Sequence, residues 1–89
     1  MREYCIACCL KHLSQAVILM GEAKQGYPLH KWLAIGHLAE ASDEILGKDM
    51  AMANTIRDAR IRYMEADEPF PYAEICGILI KDLENEQGL

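Results

Sequence analysis

The residues best suited to chemistry crowd the start of this chain. Cys5, Cys8, Cys9 and His12 recur at intervals of three and four, so one face of a helix presents them together. Thiolates and imidazole are good zinc ligands, and an ion bound there would help a small core hold together. A structural zinc site, however, takes four ligands, usually as two pairs on separate elements. The second pair is missing from this stretch; Cys76 and His37 supply it only if folding brings them near. Cys5-Ile6-Ala7-Cys8 is also a C-x-x-C pair, without the strand-to-helix context of a thioredoxin-type site. A crosslink from Cys5 to Cys8 or Cys9 closes almost no loop and would strain a helix. Small cysteines beside Ile and Leu on a packed helix are commonly core residues. The expectation is therefore reduced, largely buried thiols and no resident metal or other cofactor.

A second group comprises His37, Glu40 and Glu44 on one helical face, with His30 one heptad before. A di-iron carboxylate bundle needs Glu-x-x-His on two helices, whereas this chain has His37-x-x-Glu40, reversed and once. A small metalloenzyme using His12, His37 and Glu40 is the alternative from the enzyme class, and it demands an ion with an open coordination position. The third group is basic and aromatic: Lys11, His12, Lys31, Arg57 and Arg60, with Tyr27, Trp32 and Tyr63. Arginine forks suit phosphate or carboxylate and aromatic rings stack on bases, so these residues suit a small anionic ligand or a protein partner. The competing reading pairs the arginines with neighbouring acids such as Asp58 or Glu65. No glycine-rich phosphate loop is present, which leaves nucleotide hydrolysis without support.

Helices must position all of these groups. The first spans about Glu3 to Lys24, with apolar rows 5-9-12-16-19-23 and 6-10-13-17-20, and Gly26-Tyr27-Pro28 breaks it. Tyr27 is then pinned at a helix–helix corner. The second runs from Pro28 to about Leu46, with Trp32, Ile35, Leu38, Ala39, Ser42, Ile45 and Leu46 pointing one way. Gly36 inside it costs roughly 1 kcal/mol against alanine, which close approach of another backbone would explain. Gly47 ends it and Asp49 is a candidate N-cap for the third helix, about Met50 to Ala66. There Met52, Ala53, Ile56, Ala59 and Tyr63 form the core row. Pro69-Phe70-Pro71 is the clearest break, and a fourth helix follows from Tyr72 to about Glu84. His12-Leu13-Ser14-Gln15-Ala16 faintly echoes His37-Leu38-Ala39-Glu40-Ala41, too briefly to establish duplication.

These elements make one all-α domain over residues 1–89, a small bundle of three to four antiparallel helices. With 52% hydrophobic residues in 89, the chain carries more apolar material than a small bundle easily hides, which predicts a homo-oligomer. A net charge of −5 argues against DNA or RNA as partner. The absence of a secretory signal pattern and the shortness of the uninterrupted apolar runs point to the cytoplasm and away from membranes.

The first half of the chain resembles small uncharacterised helical proteins of bacteriophage and prophage genomes. The likeness lies in Cys5-x-x-Cys8-x-x-Lys11-His12-Leu13-Ser14-Gln15-Ala16, Gly26-Tyr27-Pro28-x-His30 and Ile35-Gly36-His37-Leu38-Ala39-Glu40-Ala41. It carries no established site residues and no reaction. It implies accessory roles, including antagonism of host defence by holding a host protein or a signalling nucleotide. The sequence reading is thus a non-enzymatic binding protein, with a metal-binding module or a structural assembly part as alternatives.

Overall fold

A computed structural model describes residues 5–24, 28–66 and 70–86. Four helices follow one another: α1 (Ile6–Lys24), α2 (Pro28–Ile45), α3 (Met50–Glu65) and α4 (Phe70–Glu86). No strand occurs among the described residues. Each helix packs on its neighbours in chain order and α4 returns to α1, so the helices form an all-α antiparallel ring. The α1–α2 seam is the most extensive and α3–α4 the slightest.

The register of α1 on α2 can be read from three cross-helix pairs. Cys5 meets Glu44 through its backbone, His12 meets His37, and Glu22 meets His30. As one number rises the other falls, as antiparallel packing requires. On the opposite side of α2, the Ser42 hydroxyl donates to the Ala53 carbonyl of α3 (3.0 Å), and Lys31 reaches Ala66 at the far end.

The core is a single cluster drawn from all four helices. Cys9, Leu13, Ala16 and Met20 of α1 are fully buried, a stripe running between the two rows read from the sequence. Leu38, Ala41 and Ile45 of α2, Ile56 and Tyr63 of α3, and Cys76 and Leu83 of α4 close it. The α3 row Ala53, Ile56, Ala59 and Tyr63 is buried as its periodicity predicts. Its N-cap is Asp49, whose carboxylate accepts from the Met52 N–H at 2.9 Å.

Several expectations differ from the structure. Trp32 is 58% exposed, and Leu46 also faces solvent. The buried stripe of α2 turns toward Ala34 and Ala41, and α2 packs on both α1 and α3, so Trp32 is carried outward. The close approach expected at Gly36 is not there: a Cβ at this position meets nothing within 4 Å, because residue 36 lies on the open side of α2. The fourth helix begins two residues earlier than expected, at Phe70, because Pro71 fits a first turn that needs no N–H from it. Of the apolar residues of that helix, Cys76, Leu79 and Leu83 are buried and Ile75 is exposed. The segment Ile6–Ala23 has the length and mean hydropathy (1.2 over 18 residues) of a membrane span. Lys11, His12 and Gln15 interrupt its apolar runs without lowering the mean below that level, and four of its residues, Cys9, Leu13, Ala16 and Met20, belong to the core.

Candidate functional site

The chemistry gathers along the α1–α2 groove, beginning where the N-terminus of α1 abuts the C-terminal end of α2. The Cys5 N–H donates to the Glu44 carbonyl at 2.9 Å, locking the two ends together. Cys5 stands just ahead of the first helical residue and acts as the cap of α1: the Cys8 N–H donates to Cys5 Sγ at 3.1 Å. In the structure Cys5 and Cys8 are joined in a disulfide, with Cα atoms 5.2 Å apart. This corrects the expectation that all four cysteines are reduced thiols. The objection to such a bridge assumed two cysteines inside a regular helix, whereas Cys5 lies outside it and its sulfur can swing over the first turn.

Glu44 completes this cluster. One ligand atom from each of Cys5, Cys8 and Glu44 falls within a 4.8 Å group, and all three residues are half-buried. Sequence reasoning placed Glu44 with His37 and Glu40 and missed its approach to the cysteines. Folding the chain back at the break read from Gly26-Tyr27-Pro28 would have brought it near Cys5. Cys9 plays a different part. It is fully buried, and burial first, then the negative charge of Glu44, push its thiol up to about 11. Cys76 is likewise fully buried in the core, its thiol pushed up to about 11 by burial. These two are the core thiols that the sequence anticipated for the whole set.

Two turns along the groove from the Cys5–Glu44 contact, His12 and His37 face each other with Nδ1 atoms 2.9 Å apart, and His12 Nε2 lies 3.0 Å from Glu40 Oε2. The remaining sequence candidates are dispersed. Arg57 and Arg60 line a cleft of about 430 Å³ between α2 and α3, together with Ala39, Ser42 and Asp43. Asp58, considered as their salt-bridge partner, instead pairs with Arg62 one turn on (3.1 Å). Arg60 rests its guanidinium against Met64 Sδ at 3.9 Å.

Lys31 is committed to the fold. Its ammonium donates to the Ala66 carbonyl at the end of α3 (2.6 Å) and lies 5.5 Å from the centre of the Tyr63 ring. Tyr63 itself is buried against Tyr72, with ring centroids 5.6 Å apart, so its ring is not available for stacking on a ligand from solvent. Burial raises its phenol pKa, and its hydroxyl finds no hydrogen-bond partner among the described residues. Lys11 and Trp32 are exposed. Tyr27 lies outside the described residues.

No family model, curated protein or solved structure matches this chain.

Proposed function

We propose that this protein is a small, non-enzymatic metal-binding helical module whose ion is held by Cys5, Cys8 and Glu44 once the cysteines are reduced. The observation that carries this reading is the convergence of three ligand atoms, from two helices' ends, within 4.8 Å of one another. Two thiolates and a carboxylate form a donor set suited to Zn²⁺, with a fourth tetrahedral position left for water or a partner's side chain. The N–H of Cys8 pointing at Cys5 Sγ favours an anionic sulfur there.

Ion and disulfide exclude each other. Zinc bonded to two sulfurs at about 2.3 Å holds them roughly 3.8 Å apart, far beyond bonding distance. Passing from the disulfide to the zinc form takes two electrons and two protons from an external dithiol, and the two thiol protons leave as zinc binds. A reducing compartment, such as the cytoplasm expected from the sequence, favours the dithiol. Oxidation then expels the ion.

The test is cobalt substitution in the reduced, untagged chain, read by thiolate-to-metal charge transfer, beside elemental analysis for zinc. One ion per chain is expected, with the thiolate band lost in Cys8→Ser and affinity at least tenfold weaker in Glu44→Gln. A reduced chain that takes up no ion, or binds equally well after Cys8→Ser, ends the reading.

The Arg57–Arg60 cleft supports a second reading, binding of an anion such as a signalling nucleotide or an acidic segment of a host protein. Asp43 on its wall works against an anion, which places this reading second. Calorimetry with a nucleotide panel should then give binding that Arg57→Ala removes; silence across the panel counts against it. Exposed Leu29, Trp32 and Leu33 on one side of α2 support self-association, for which light scattering should return a multiple of 10.0 kDa. A phage anti-defence role rests on the sequence resemblance alone.

A further inference from the structure

The cleft between α2 and α3 carries an inference independent of the cysteines. Its volume is about 430 Å³, within the range of roughly 300–1,000 Å³ usual for small-molecule sites. The order of its charged groups follows from two contacts. Ser42 meets Ala53 and Lys31 meets Ala66, so numbers rising along α3 face numbers falling along α2. Asp43 therefore stands at the Ala53 end, Arg57 comes next, and Arg60 follows about 4.5 Å further along the helix axis. The cleft has an acidic end and a basic end.

These charges are uncommitted. Among the described residues Arg57 and Asp43 make no hydrogen bond or ion pair, although both line the one cleft, and Arg60 donates only to the Met64 sulfur. Other cations of the same helices are engaged: Arg62 pairs with Asp58, and Lys31 donates to the Ala66 carbonyl. The Ser42 hydroxyl gives its hydrogen to the Ala53 carbonyl. The side-chain donors offered to a ligand are thus the two guanidinium groups, and the charged acceptor is Asp43.

That set specifies a ligand. One guanidinium fork satisfies both oxygens of a carboxylate, which would leave the second arginine idle. A phosphate monoester presents three terminal oxygens and a charge of about −1.5 to −2 near neutral pH, enough to engage both forks. Asp43 opposes a bare anion, but a ligand that also carries hydroxyls gives this carboxylate donors to accept from. A long polyanion is disfavoured by the net charge of −5. We propose that the cleft binds a small phosphorylated polyol, a sugar phosphate or the ribose-phosphate end of a nucleotide. Its phosphate lies between Arg57 and Arg60, and a hydroxyl donates to Asp43. This rests on the second reading given above, that the cleft takes an anion, and adds what else the ligand must carry.

The experiment is calorimetry on the untagged full chain with inorganic phosphate, ribose 5-phosphate and adenosine monophosphate. Ribose 5-phosphate should bind about tenfold tighter than inorganic phosphate. Arg57→Ala should weaken both by about tenfold or more. Arg62→Ala, which removes a charge already paired, should leave both within about twofold. Asp43→Asn decides the matter, because its two effects have opposite signs. It should weaken ribose 5-phosphate about threefold or more, through the lost charged acceptor, and strengthen inorganic phosphate, through the lost repulsion. A structural role for Asp43 would not produce that crossing. Arg57 and Asp43 are both exposed, so neither variant disturbs the core. Adenosine monophosphate should bind at least as tightly as ribose 5-phosphate; a nucleotide that binds where ribose 5-phosphate does not would overturn the proposal. Equal binding of phosphate and ribose 5-phosphate, both strengthened by Asp43→Asn, would overturn it while leaving the anion reading in place. No binding of any of the three at millimolar concentration ends both.

Discussion

The α1–α2 and α3–α4 seams differ in what they hold. Along α1–α2, fully buried Leu13, Ala16, Leu38 and Ala41 flank three polar encounters: Cys5 with Glu44, His12 with His37 and Glu40, and Glu22 with His30. Along α3–α4, the principal ring contact is Tyr63 on Tyr72, while Ile61 and Met64 of α3 and Ile75 and Ile78 of α4 are left exposed. Ligand atoms keep fixed separations only where the surrounding packing fixes their helices. The tight seam can therefore place nitrogen and sulfur atoms against each other, whereas the slack one leaves its apolar and charged groups to solvent.

The largest test of that contrast is truncation. Leu38→Ala, at the centre of the tight seam, should cost about 2–5 kcal/mol in chemical denaturation, against less than about 0.5 kcal/mol for Ile78→Ala on the open side of α4. Equal losses at the two positions would show that the seams do not differ. Next in size is the alkaline behaviour of α4. Below pH 9 the Cys76 thiol is protonated in both folded and unfolded chains. Above it the unfolded chain loses the proton while the folded thiol keeps it to about 11. Stability should fall between pH 9 and 11 by roughly 1.4 kcal/mol per unit at most, and then level off. Cys76→Ala should lack this component, and an identical alkaline slope in the two proteins would contradict it.

Smaller effects sharpen the comparison at the helix ends and outer faces. Asp49→Ala removes the cap of α3 and should cost about 1 kcal/mol, leaving the α1–α2 groove and its metal titrations unaltered. Gly36→Ala acts in the other direction. Since the added Cβ meets nothing, thermal unfolding should show a gain of roughly 1 kcal/mol. A loss there would reveal a neighbour at residue 36, as in an oligomer packed on that side. The exposed Asp58–Arg62 pair is the smallest: removing it should change stability by under about 0.5 kcal/mol, and less in high salt.

By itself, the sequence determined the all-α class, the three breaks and most of the buried positions. Periodicity of 3.6 with Pro and Gly punctuation is a local property, and burial follows from it, as the α3 row and the Asp49 cap illustrate. It also placed Cys5 with Cys8, and His37 with Glu40, because residues three apart within a helix, or across its first turn from the cap, are neighbours in any fold. Only the tertiary structure decided what faced them. Glu44 reaches the cysteines, and His12 reaches His37, through the antiparallel register of α1 on α2. The rotation of α2 in the same packing leaves Trp32 exposed and Gly36 without a neighbour within 4 Å of its Cβ position. Periodicity specifies which face of a helix is apolar, but not its rotation or level against another helix. A ligand set assembled across a seam depends on both.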